Sequence, residues 1–270
     1  MRKRLLYTES PGWAELLEQV DAKVASPAFV QVKAEGRTRA GLVRTANGGC
    51  AFLKISQARS FAGGIIDRLR GSRAARALRG AALLREAGFL CARPLAAMDA
   101  LEMGAVRRSY LLSEALERAQ ILSHFALGPS LAQRHPFERR RAVFAALAPE
   151  IRRMHDAGIY TRDLQETNVM VEDAGALRFY FLDLEDFRRA RAVSWRRRML
   201  NLVHLDRSIG RFVSRTDRLR FLYSYAGRDA DRTARRRLVT DYLEARRRVE
   251  RSHQRARPAG LPVEAGEART

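Results

Sequence analysis

The spacing of apolar and polar positions changes character along the 270-residue chain. Between residues 28 and 56 it runs near a period of two, in AFVQVKAE, TRAGLVRT and CAFLKIS, which is the spacing of half-buried strands. Asn47-Gly48-Gly49 supplies turn chemistry between the second and third of these. Residues 73–87, RAARALRGAALLREA, have helical composition, with Ser72 placed as N-cap and Gly88 just past the end. Two more strands are predicted around 92–98 and 106–114, separated by a turn-like stretch ending at Gly104. Residues 1–114 therefore read as a small mixed sheet with one helix.

After Glu114 the period lengthens to that of helices. Within 137–157, Val143, Phe144, Leu147, Ile151 and Met154 fall on one stripe, the spacing of a buried helical face. Pro149 lies inside that stripe and has no N–H to donate, so a kink or a break is predicted there. A short polar loop at 160–168 precedes two strand-like pieces, NVMVE and ALRFYFLD, joined by Asp173-Ala174-Gly175. Residues 194–250 are helix-rich, and 251–270, rich in Arg, Pro, Gly and Glu, read as a disordered tail.

Composition narrows the classes. With 46% hydrophobic and 30% charged residues the chain is globular rather than disordered. No run of 18 apolar residues exists, so no transmembrane helix is expected. The basic start, MRKRLL, is followed by Tyr7, Thr8, Glu9 and Ser10 where a signal peptide needs an apolar stretch, so a cytoplasmic protein is expected. Cys50 and Cys91 are too few for a disulfide scaffold and wrongly spaced for zinc; both read as buried small residues. Fifty-one basic against 30 acidic residues give a net charge of +21, which favours nucleic acid, an anionic lipid surface or a phosphorylated substrate. Only Lys3, Lys23, Lys33 and Lys54 are lysines, a skew that GC-rich coding explains as well as a selected surface does. Trp13 and Trp195 read as helix anchors and His155 as a capping or packing residue; His124, His135 and His204 show no ligand spacing.

The chemistry concentrates between His155 and Phe187. Asp163 is followed five residues later by Asn168, one of three asparagines in the chain (47, 168 and 201), and the predicted hairpin returns Asp183 beside it. Phosphoryl transfer needs such a set, because its transition state is stabilised by positioning and charge neutralisation rather than covalent chemistry. An Asp accepts or orients the acceptor hydroxyl, an Asn oxygen and a second Asp hold Mg²⁺, and an upstream strand lysine pairs with the phosphates. Lys54 in AFLKIS is the only lysine beyond residue 33 and sits in a predicted strand.

These motifs resemble the protein-kinase-like superfamily, and within it the Kdo/WaaP lipopolysaccharide kinase family (InaA-like proteins). The resemblance rests on FLK at 52–54, LREAGFLCARPLAA at 84–97, SYLLSEAL at 109–116, MHDAGIYTRDLQETNVMV at 154–171 and FYFLDLEDFRRAR at 179–191. It implies an α+β, two-lobed protein-kinase-like fold, with a small N-terminal β-sheet lobe with one helix (1–114), a larger helical C-terminal lobe (115–250) and the tail (251–270). It implies ATP and Mg²⁺ as cofactors, with Asp163 as catalytic base, Asn168 and Asp183 as metal ligands and Lys54 on the phosphates. The backbone of Ser113, Glu114 and Ala115 would face adenine. The implied acceptor is a Kdo or heptose hydroxyl of lipopolysaccharide or a lipid A-core precursor, at the anionic inner-membrane surface. The expected protein is cytoplasmic and peripheral to that membrane.

The chain also departs from the kinase pattern. Thr161 stands where the loop histidine would be, and Arg162 serves either as a loop residue or as surface. Gly36 and Gly41 flank the predicted first turn without forming G-x-G-x-x-G. The helix at 73–87 offers Ala77 where a lysine-pairing Glu is expected, and Glu86 lies at the wrong end. Glu185 replaces the DFG glycine, so no activation switch is expected. Three rival readings stay open: a kinase of this fold with a small-molecule or protein acceptor, an ATP-binding pseudokinase, and a basic nucleic-acid-binding protein. The last has only the charge behind it, so no specific nucleic acid is expected.

Overall fold

The computed structural model describes residues 1–45, 49–127, 136–210 and 213–256. Its first elements are β1 (Arg2–Thr8), α1 (Pro11–Glu18) and α2 (Val20–Val24). The three alternating segments then form β2 (Phe29–Glu35), β3 (Thr38–Arg44) and β4 (Cys50–Gln57). The turn residues Asn47 and Gly48 lie outside the described residues. Next come α3 (Phe61–Arg70), α4 (Arg73–Glu86), β5 (Leu90–Cys91), β6 (Pro94–Glu102) and β7 (Ala105–Glu114). The predicted helix is α4, and its Ser72 cap accepts a hydrogen bond from the Ala75 N–H. β6 and β7 join through Met103 and Gly104, both at positive φ (49° and 81°), the backbone of a tight two-residue hairpin turn.

Six strands make one antiparallel sheet in the order β1-β6-β7-β4-β3-β2. One face carries Leu53, Met98, Tyr110 and Leu112 against Leu17 and Val20 of the first helices, a closed apolar cluster. Partly buried Trp13 packs on it. The lobe thus holds helices α1, α2 and α3 beyond the one expected. The sheet also has an unforeseen sixth strand, because the basic β1 is recruited by distant β6 and tied to buried Asp99 by Arg4 at 2.7 Å. Gly36 does occupy the first turn, at φ +54°, but Gly41 lies inside β3. There a Cβ would come within 2.4 Å of the Val30 carbonyl oxygen, so Gly41 is a packing residue and not the flank of a loop.

The second lobe runs through β8 (Gln120–Ile121), α5 (Leu122–Leu127) and α6 (Pro136–Asp156) to β9 (Ile159–Thr161). A 3-10 turn (Glu166–Asn168) leads into β10 (Val169–Asp173) and β11 (Leu177–Phe181). A second turn (Leu184–Asp186) precedes β12 (Phe187–Arg189), α7 (Trp195–Ile209), α8 (Arg215–Ala226) and α9 (Arg232–Ala256). The helix α6 runs unbroken through Pro149. Its stripe of Val143, Phe144, Leu147, Ile151 and Met154 is buried along its length, and that packing holds the turn Pro149 weakens. The last helix reaches Ala256, past the expected start of the tail at 251, and residues 257–270 are outside the described set. Trp195 ties α7 to α9 through a 2.7 Å bond from its indole N–H to Asp241.

The helix α4 belongs to both lobes. It lies against the sheet, yet its Ala77, Ala81 and Leu84 join the C-terminal core with Leu147, Ile151 and Phe181. Both cysteines are free: Cys91 is buried, which pushes its thiol up to about 11, while Cys50 is only half-buried.

Candidate active site

Lys54 projects from β4 toward the segment that follows β11. Its ammonium is hydrogen-bonded to Asp183 and lies 3.6 Å from the Glu185 carboxylate. Asp183 is held in the left-handed region (φ 53°, ψ 50°), a costly conformation outside glycine that turns the chain sharply after the strand. Beyond it the Leu184–Asp186 turn packs under α4. The approach is possible because residue 80 is glycine: a Cβ there would sit 1.9 Å from the Leu184 carbonyl oxygen.

An acid does reach Lys54, from this turn rather than from α4. Ala77 is buried and lines a small cleft with Lys54, Ser56, Arg73 and Glu185. Glu185 faces Lys54 with one oxygen and Arg73 with the other, each at 3.6 Å. Burial pushes the Glu185 carboxyl upward; Lys54 and Arg73 oppose this, and Asp183 and Asp186 add to it. Asp183, Glu185 and Asp186 bring carboxylate oxygens within 4.8 Å of one another.

Asp163 and Asn168 meet on the loop after β9. The Asn168 side-chain N–H₂ donates to the Asp163 carbonyl at 3.1 Å and its carboxylate at 3.4 Å. The Asp163 N–H donates to the Thr161 hydroxyl at 3.2 Å, and Gln165 donates to the other carboxylate oxygen. Pairing of Val169 with Phe181 then places Asn168 beside Leu182, whose N–H donates to the Asn168 carbonyl at 2.8 Å. One hairpin thus links the Asp163–Asn168 pair to the Lys54–Asp183 pair. Arg162 is exposed and paired with Asp186 at 3.1 Å.

Thr161 occupies the place of the loop histidine, and a buried network does the bracing. The Asn201 N–H₂ donates to the Thr161 carbonyl at 2.7 Å, so its oxygen faces His155 and accepts from Nε2–H at 3.0 Å. Nδ1 is left to accept the Tyr225 hydroxyl at 2.8 Å. Burial lowers the His155 pKa to about 4, against the opposing bond to Asn201, so the ring is neutral at pH 7. His155 is thus the packing residue foreseen. The role of Asn201 was missed, although its rarity in the chain was a signal.

At the end of β7, Ser113 is buried and pairs in register with Phe52. The Glu114 N–H donates to the Arg93 carbonyl at 2.9 Å, and its carboxylate accepts the Arg93 N–H at 2.8 Å. Ala115 follows where the chain leaves the sheet.

A small antiparallel sheet and a helical lobe, with a strand lysine meeting the post-hairpin aspartate between them, define the protein-kinase-like fold. Solved structures share it. The chain matches "WaaP in complex with acyl carrier protein" at a TM-score of 0.61 and 22% identity, covering 94% of this chain and 99% of that one. It matches the Rio2 kinase-ADP/Mg²⁺-phosphoaspartate complex of Chaetomium thermophilum at a TM-score of 0.51 and 16% identity, covering 93% and 78%. At these identities the likeness is one of fold. The model of the lipopolysaccharide kinase (Kdo/WaaP) family matches residues 59–225, more than half of the sequence, and the chain belongs to that family. Asp163, Asn168, Asp183 and Glu185 fall inside the match; Lys54 lies just upstream of it. No curated protein matches the chain.

Proposed function

We propose that the chain is an ATP- and Mg²⁺-dependent kinase that phosphorylates a Kdo or heptose hydroxyl of the lipopolysaccharide inner core. The observation that carries this is the contact of Lys54 with Asp183 across the lobes, one hairpin from Asp163 and Asn168, in a member of the lipopolysaccharide kinase family. Asp163 orients the acceptor hydroxyl and takes its proton as the new O–P bond forms and the bond to the β-phosphate breaks, releasing ADP. Lys54 pairs with the α- and β-phosphates, and Glu185 holds the lysine in place. Residues 1–114 carry the nucleotide side, with the backbone at Ser113, Glu114 and Ala115 toward adenine, and 115–250 carry the loop and acceptor side.

The donor set fits Mg²⁺, a hard cation that takes oxygen ligands. The Asn168 N–H₂ is committed to Asp163, which leaves the Asn168 Oδ1 for a metal, and Asp183 adds a carboxylate. When bound, the ion neutralises charge on the transferring phosphates. The Rio2 complex with ADP/Mg²⁺ supports this reading of a shared fold. A net charge of +21 supports peripheral binding to an anionic inner-membrane leaflet, and no described helix is long and apolar enough to cross a membrane. The complex of WaaP with acyl carrier protein supports a protein partner in addition.

The test is transfer of labelled γ-phosphate from Mg-ATP to lipopolysaccharide of the source organism, beside peptides and small aminoglycoside-like acceptors. Label is expected in the core sugar with the wild type and is expected to vanish with Asp163→Ala, folded and still binding ATP. Label in peptide or small molecule alone would move the acceptor. ATP binding without transfer to any acceptor would make the chain a pseudokinase.

A further inference from the structure

The ten-residue helix α3 is built inside out. At about 100° per residue, Phe61, Ala62, Ile65, Ile66 and Leu69 share one arc, and all five are exposed, Leu69 to 80%. Its opposite side faces the protein through small and polar positions. Gly64 is buried so close to β7 that a Cβ would meet the Val106 carbonyl oxygen at 2.4 Å, and Asp67 pairs with Arg76 at 3.0 Å. Arg68 and Arg70, both exposed, border the apolar arc on its two sides, and exposed Arg59 precedes the helix.

Neighbouring elements extend the patch. Gly64 seats α3 on Ala105 and Val106, beside the β6–β7 turn whose Met103 is 88% exposed. Register puts Arg2 opposite Leu101, which brings the exposed Met1 and Arg2 to that same end of the sheet. Two acids nearby are paired: Asp67 with Arg76, and Glu102 with Arg107 at 3.0 Å. An apolar ridge edged by arginines, with paired acids, is complementary to a surface of acyl chains beneath anionic headgroups. A protein partner would need a matching acidic rim around an apolar groove.

We propose that the exposed face of α3, with the Met103 turn, docks the protein on an anionic lipid bilayer. This rests on the reading of a membrane-peripheral kinase and names the surface that does it. The test is flotation of the full chain with vesicles of phosphatidylglycerol and phosphatidylethanolamine against vesicles of phosphatidylcholine alone. The wild type is expected on the anionic vesicles, with Ile66→Ser/Leu69→Ser weakening partition by roughly tenfold or more. Leu69→Trp is expected to shift its emission to the blue and be quenched by brominated lipid on the same vesicles. Wild type and serine variant binding alike, with the tryptophan unquenched, would overturn α3 as the surface and leave peripheral binding standing. No binding by the wild type would overturn both, and a concentration-dependent dimer abolished by the serine pair would assign the face to self-association. Transfer to a detergent-solubilised acceptor reports separately on the kinase reading.

Discussion

Two regions of the site depart from the kinase pattern, and they compensate by opposite physical means. At Ala77, where α4 should offer an acid, the replacement is a charge: Glu185 reaches Lys54 from the other side of the cleft. At Thr161, where the loop should offer a histidine, the replacement is neutral: a sealed chain of Tyr225, His155 and Asn201 ends on the Thr161 carbonyl. The first contact joins groups that are partly open to solvent, where an ion pair stays adjustable and a lysine can change partners. The second is fully buried, where every polar atom must be satisfied and the geometry is fixed. On the proposed function, the lysine that would contact nucleotide has the first kind of support, and the loop that would position the base has the second.

The largest effect is expected where α4 makes room for Glu185. Gly to Ala inside a helix ordinarily stabilises by about 1 kcal/mol. Gly80→Ala is expected to reverse that sign, costing about 2 kcal/mol or more, because its methyl meets the Leu184 carbonyl. It should also cut transfer per folded molecule by roughly a hundredfold, since a displacement of about 1 Å at reacting groups costs that much. Urea melts and turnover together check it; a stabilised, active variant would break the comparison on the Glu185 side.

The neutral network is to be tested by pH. The folded-state pKa of His155, about 4, lies below its ordinary 6.5, so the folded protein binds fewer protons than the unfolded chain between those values. The contribution is complete above about pH 6.5 and is lost as pH falls toward 4, amounting to about 3 kcal/mol in full. Stability of the wild type minus that of His155→Gln, from urea midpoints, is expected to fall between pH 7 and pH 5. A flat difference would mean that the ring is not held neutral.

The smallest effect is expected outside both regions. Ile66→Ser/Leu69→Ser removes side chains already exposed, so stability should change by less than about 0.5 kcal/mol and transfer to a detergent-solubilised acceptor should hold.

Much of this was legible in the sequence where the signal is local. The strands β2, β3 and β4 follow from their alternation, α4 from its cap and composition, and Lys54 and Asp183 from the motifs that flank them. Their pairing with each other is seen only in the folded structure. Glu185 could be read only as a missing glycine, because its partner is 131 positions upstream by residue number. Asn201 lies 40 residues from the carbonyl it braces and has no local pattern. The strand β1 hides as a basic start, and α3 hides because its glycines and outward apolar face match neither a buried helix nor a loop.

The most direct measurement compares transfer of labelled γ-phosphate to lipopolysaccharide by the wild type, Glu185→Ala, and Glu185→Ala carrying Ala77→Glu. If Glu185 does the work of the missing helix acid, the single variant should lose roughly ten- to a hundredfold in kcat. The double variant should regain most of it, because position 77 lines the same cleft as Lys54. A Glu185→Ala protein with unchanged kcat would contradict the account. So would a double variant no better than the single one, both being folded and able to bind ATP.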